Sequence, residues 1–150
     1  MKPVIILAIM SASIFLLSHK PPVATSAITG GEVEIKNFEK PDEVREFPKG
    51  RVELIKVGGA TIGRATFEPG WKWSESVQPL AKTKSCEAPH YQYHVSGRLM
   101  AKMDDGTVYE CKPGDVSMFA SGHDAWVVGT EPAVVVDFQG MLDYAKMKKN

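Results

Sequence analysis

From residue 50 onward, apolar and polar residues alternate in short runs. Turn chemistry cuts these runs at G-G (58–59), P-G (69–70), S-G-R (96–98), D-D-G (104–106), K-P-G-D (112–115) and S-G-H (121–123). Period-two runs separated by such punctuation are the pattern of antiparallel strands folding into a sandwich or barrel. Residues 51–57 and 60–67 read as a hairpin, and residues 99–103 and 107–111 flank D-D-G as a second one. Residues 116–119, 125–128 and 133–138 complete the sheet, the last as the run A-V-V-V-D-F, which suits a strand covered on both sides.

Other segments follow from the same reading. V-E-I-K-N-F within residues 32–38 alternates and predicts a half-exposed first strand, whereas residues 41–48 are charged and irregular and predict a surface connection with a helical turn at D-E-V-R. W-K-W-S-E-S-V at 71–77 predicts a strand with Trp71, Trp73, Glu75 and Val77 on one side. Residues 78–87 show no period and predict a loop. After Gly140, M-L-D-Y-A-K-M-K-K predicts a short C-terminal helix over 141–150, with lysines in its last turn where they complement the helix dipole.

The first segment differs in kind. Lys2 precedes an apolar run ending at Leu17, short of the roughly 20 residues of a membrane span but suited to the core of a signal peptide, and small residues follow in V-A-T-S-A. The expected organisation is a signal peptide or N-terminal anchor over 1–27, a linker and first strand over 28–49, a β-barrel over 50–140 and the terminal helix. Export to the periplasm or the cell exterior is expected. There, Cys86 and Cys111 have three open fates: a disulfide closing a loop of about 25 residues, a metal-ligand role for Cys86, or inert thiols.

The stretch from Pro89 to Trp126 holds three of the four histidines, and its frame resembles the cupin pattern. Gly97 matches the closing glycine of the first cupin motif, which puts the motif's glutamate position on His90; Gly114, Ser121 and Gly122 fit the frame of the second, with Ala120 in place of its proline. The usual histidine of the second motif falls on Ala125, with His123 two residues earlier, and the asparagine position is Gly129. The H-x-H end falls on Thr83 and Ser85 or on Lys84 and Cys86. The resemblance covers residues 50–140 and implies an all-β, cupin-type jelly roll and a homodimer; family members include metal-bearing and metal-free barrels, and both stay open for this chain.

Strand parity sharpens the candidate chemistry. His90, Gln92 and His94 share one face, while Tyr91, Tyr93 and Val95 share the other and suit a dimer contact. If His90 faces inward, so does His94, and His123 shares a face with Ala125. Imidazoles and a thiolate are suitable ligands for a divalent transition metal, so His90, His94, His123 and Cys86 are the candidate metal set, with Zn, Fe, Mn or Ni as candidate ions. Gln92, Glu75 and Trp73 are candidate ligand-binding residues, with Glu75 competing with Cys86 to complete the metal shell. His94 reads equally as a core histidine bonded to a neighbour.

Composition narrows the function. The formal charge is zero, and without residues 1–27 the balance is 16 basic to 18 acidic side chains, which gives no electrostatic footprint for nucleic acid. No nucleophile elbow, phosphate-binding glycine loop or internal repeat appears, and nothing beyond the N-terminal segment suggests a membrane. The expected function is that of a single-domain cupin binding a small molecule in its barrel, with or without one divalent metal ion. The alternative is a mononuclear metal-dependent oxygenase, isomerase or lyase.

Overall fold

The computed structural model describes residues 33–147. The expected signal peptide or anchor, the first five residues of the linker and the last residues of the expected terminal helix lie outside the described residues. Nine strands follow in order: β1 (Glu43–Phe47), β2 (Gly50–Val57), β3 (Ala60–Phe67), β4 (His90–Ser96), β5 (Leu99–Met103), β6 (Val108–Cys111), β7 (Val116–Phe119), β8 (His123–Val127) and β9 (Ala133–Asp137). Two one-turn helices, α1 (Trp73–Ser76) and α2 (Gln78–Ala81), interrupt them between β3 and β4. The strands form a six-stranded sheet in the order β1-β2-β3-β9-β4-β7 and a three-stranded sheet in the order β6-β5-β8, all antiparallel. This is a jelly-roll all-β fold. Among the described residues no helix is long and apolar enough to cross a membrane.

The core lies between the sheets. Val52 and Leu54 of β2, Ala65 and Phe67 of β3, and Val135 of β9 meet Leu99 of β5 and Val127 of β8 there. The alternation in β4 is clean: His90, Gln92 and His94 are buried, and Tyr91 and Tyr93 are exposed. The D-D-G hairpin forms as expected, with Gly106 at φ 91° and the Asp105 carboxylate accepting the Thr107 N–H at 2.8 Å. Gly97 follows β4 with φ 67°, and a Cβ there would collide with the Pro132 and Ala133 backbone.

Several segments depart from the sequence reading, each for an identifiable reason. The expected first strand at 32–38 does not form among its described residues, where Val33 and Ile35 are each 88% exposed and find no apolar partner. The strand forms instead at β1, within the segment read as a surface connection. Its inward positions are Arg45 and Phe47, and a charged residue on the core side hides the alternation. Residues 71–77 are not a strand: α1 begins at Trp73, and a turn of helix rotates Glu75 outward while Trp73 and Val77 stay buried four residues apart. Within the expected loop, α2 carries Pro79 in its first turn and stops at Lys82, which is left-handed with φ 54°.

The expected C-terminal helix is absent over 141–147, which form bends and turns. Arg45 explains this. Its Nη1 donates to the carbonyls of Met141 at 3.0 Å and Tyr144 at 2.6 Å, its Nη2 to that of Leu142 at 2.9 Å, and its Nε to Glu43 at 2.7 Å. The guanidinium fork thus takes carbonyls that an α-helix would direct along its own axis. The result is a strap that buries Met141 and Tyr144 against the core.

Candidate metal centre

Three chain segments converge between the sheets. His90 opens β4 in the large sheet, and His123 opens β8 in the small one. Cys86 precedes β4 and pairs with His123 through backbone: its N–H donates to the His123 carbonyl at 2.8 Å, and its own carbonyl accepts from Gly122 at 2.7 Å. This bridge brings the thiol alongside the second imidazole. The candidate ligand atoms of Cys86, His90 and His123 all lie within 4.8 Å of one another, and the three residues are buried.

The outer contacts fix both rings. His90 Nδ1 lies 2.6 Å from Asp137 Oδ2. Asp137 is fully buried, and its carboxylate also accepts from Gln92 Nε2 at 3.0 Å, the Gln139 N–H at 2.7 Å and the Gly140 N–H at 2.5 Å. Gly140 sits so close that a Cβ there would strike the His90 ring and the Pro89 carbonyl. His123 Nδ1 lies 2.8 Å from the carbonyl of Ala120, which can only accept, so that nitrogen carries the proton. Each ring therefore keeps its Nε2 for the centre. His90 Nε2 stands 3.5 Å from Cys86 Sγ, close to the separation of about 3.5 Å for a thiolate and an imidazole on one tetrahedral ion with bonds of about 2.3 and 2.05 Å.

Electrostatics favour a thiolate. Burial opposes charge on Cys86, but its contacts with His123 and His90 outweigh it and lower the thiol from 9.0 to about 6. Burial also opposes charge on His90, yet the hydrogen bonds to Asp137 and Cys86 raise it from 6.5 to about 9. Asp137 is held below the usual carboxylate range, because the His90 contact and the backbone N–H groups overcome its burial. Without an ion, Cys86 and His90 thus share their protons as a thiolate and an imidazolium, a coupled pair. Cys86, His90 and Asp137 also stand in the order of nucleophile, base and orienting acid. Against nucleophilic use, the sulfur is buried and a second imidazole shares it.

The other candidates are placed differently. His94 faces inward, but its Nε2 bonds to Ser117 Oγ at 2.8 Å, and it stands outside the converging group; burial pushes its pKa down. Gln92 lines the central cavity and is committed to Asp137. Trp73 lines the same cavity. Glu75 is exposed and borders a separate surface hollow with Lys72, Lys102 and Asp124, so the structure does not bring it to the centre. Cys111 is buried and, like Cys86, unbridged; both line the cavity, and the disulfide is not formed.

Four residues that the sequence reading did not single out for the site belong to its surroundings: Asp137, Trp71, Met141 and Tyr144. For Asp137 a signal existed, since a lone acid inside an apolar strand must find partners when buried. The cavity itself offers about 30 Å³ beside the three ligand atoms. That is room for two or three water-sized atoms, against the several hundred Å³ of a typical organic-ligand pocket.

No family model and no curated protein matches the chain. Solved structures do. A protein of unknown function from Rhizobium leguminosarum bv. viciae 3841 superposes with TM-score 0.54 at 16% identity over 73% of this chain and 98% of that one. A variant of Bacillus subtilis oxalate decarboxylase gives 0.52 at 16% over 77% of this chain and 32% of that one. Ectoine synthase from P. lautus gives 0.51 at 13% over 71% and 78%. At these identities the likeness is one of fold, and the fold it shows is the cupin jelly roll that the glycine frame around His90 and His123 resembles.

Proposed function

We propose that this chain is a small cupin that binds one divalent transition-metal ion through Cys86 Sγ, His90 Nε2 and His123 Nε2. The observation that carries the reading is the commitment of both Nδ1–H groups, to Asp137 and to the Ala120 carbonyl, with both Nε2 atoms left for the centre. Partners of this kind hold the rings of metal-binding histidines in most known sites. One thiolate with two imidazoles suits zinc well and manganese poorly, because the one nearby carboxylate, Asp137, is fully engaged by four donors. The size of the cavity supports a compact ligand beside the ion.

The second reading is a mononuclear metal-dependent enzyme, and three protein ligands with an open position favour it. Such an ion acts as a Lewis acid and lowers the pKa of bound water. The chain's own part would be to orient the ligands, keep bulk water out with Met141 and Tyr144, and keep His90 in one tautomer through Asp137. Metal analysis of tag-free protein tests the first reading: zinc bound stoichiometrically by wild type and lost in His90→Ala and His123→Ala is the expected result. Failure of the wild type to take up any transition metal near neutral pH overturns both readings.

We also propose that a second copy covers the outer face of β4 and β7, where Tyr91 pairs with Met118 and Tyr93 with Val116, all four exposed. Light scattering on wild type and on Tyr91→Glu/Met118→Glu tests this, with a dimer becoming a monomer as the expected result. Export through residues 1–27 stands as a proposal of its own. N-terminal sequencing of protein from the cell envelope checks it, and an intact Met1 on cytosolic protein sinks it.

A further inference from the structure

Trp71 and Trp73 are 2% and 3% exposed, and the indole N–H of each is buried without a hydrogen-bond partner. Buried indole N–H groups ordinarily find an acceptor, and an orphan calls for a reason. Both rings line the central cavity that also contains Cys86, His90 and His123. Trp71 is held there by stacking on Phe67 at 4.0 Å between centroids, and Trp73 by its place at the start of α1. Two residues whose indole donors lack an acceptor thus border the cavity that adjoins the ligand atoms.

We propose that the cavity binds a compact anion of two or three heavy atoms, accepting hydrogen bonds from the Trp71 and Trp73 indoles at one end and meeting the metal centre at the other. Volume sets the size: about 30 Å³ admits a diatomic or triatomic species and no ring. The two indole N–H groups call for an acceptor, and the apolar part of the wall, Phe67, Leu99, Ala101 and Phe119, supplies none. A water could accept from both indoles through its two lone pairs, so charge, and not the number of acceptors, selects an anion. Charge follows from the ligand set, because a divalent ion with a single thiolate leaves one positive charge to balance. The negative charge of Asp137 is taken up by four donors on the far side of His90.

The charge argument rests on the metal reading, but the two donors do not, so the test separates them. Azide is titrated into ¹⁵N-labelled wild type, zinc-loaded and zinc-free side by side, while the three indole N–H signals are followed. Saturable shifts of the Trp71 and Trp73 signals in either sample, with the half-exposed Trp126 signal still, are the expected result. Shifts only in zinc-free protein that takes up no zinc would support the anion site and reject the metal. Zinc uptake with both indole signals unmoved by azide would overturn the anion site and leave the metal standing, as would shifts of equal size with benzoate, which the cavity is too small to hold. Trp71→Phe and Trp73→Phe each remove one donor and keep an aromatic ring, and each should weaken azide binding about tenfold, as expected for a hydrogen bond to a charged acceptor. Unchanged azide affinity in both folded variants also overturns the proposal.

Discussion

Asp137 lies wholly inside the protein, 2.6 Å behind the Nδ1 of His90, and holds a proton on that nitrogen, so that the neutral ring an ion requires has its lone pair on the Nε2 that meets Cys86. One carboxylate therefore fixes the tautomer of one ligand, and through it the direction in which the lone pair of Nε2 points. Asp137→Asn keeps the shape but sets an amide N–H₂ against some of the four donors. Zinc affinity, measured by competition with a chromophoric chelator, should fall by about 10- to 100-fold. The variant should also unfold more easily, since a buried donor left unmet costs about 1–3 kcal/mol. An unchanged affinity would remove Asp137 from the metal reading.

The converging group and its neighbours can be told apart by substitution. Cys86→Ser should abolish stoichiometric zinc, while Cys111→Ser, which alters a buried thiol outside the group, should retain it. His94→Val should also keep its zinc, because His94 spends its Nε2 on Ser117 rather than on the centre. Loss of zinc in His94→Val, with fold retained by circular dichroism, would return that residue to the ligand set.

Proton linkage gives a signed expectation. Between about pH 6 and 9 the ion-free site holds the Cys86 thiolate beside a protonated His90. An ion needs the neutral imidazole, so uptake in this window expels the His90 proton, and affinity should rise by about tenfold per pH unit toward pH 9. Below about pH 6 the Cys86 proton must leave as well, and the dependence steepens. Calorimetry in buffers of different ionisation enthalpy reads the protons released per ion. Zero release at pH 7.5 would contradict the assigned thiolate–imidazolium pair.

Arg45→Met tests the strap. The substitution leaves the carbonyls of Met141, Leu142 and Tyr144 without their donor. A loss of about 3 kcal/mol is expected, which corresponds to a fall in melting temperature of roughly 10 °C for a domain of this size. Melting within a degree or two of wild type would show that the strap is held by packing alone.

Much of the fold was legible because its cues are local. The D-D-G hairpin and the two-residue period of His90, Gln92 and His94 depend on neighbours only, and both formed as expected. Misreadings arose where a long-range partner changed the meaning of a residue. Arg45 looked like surface, yet it is an inward residue whose partners lie almost a hundred positions later. Trp73 and Val77 fit one helical turn as well as a strand, and α1 decided against Glu75. At the site, residue types were legible and roles were not: nothing near His94 in sequence announces Ser117, and nothing near His90 announces Asp137.

The division of the ligands between the two layers has a mechanical consequence. His90 belongs to the large sheet and His123 to the small one, with Cys86 stitched to the latter through backbone. An ion held by all three would act as a rivet through the sandwich, and stripping it would release the layers at one end only. Amide exchange in β8 and its neighbour β5 should then accelerate ahead of β2 and β3, so that metal starvation would first loosen the three-stranded layer and leave the six-stranded layer intact.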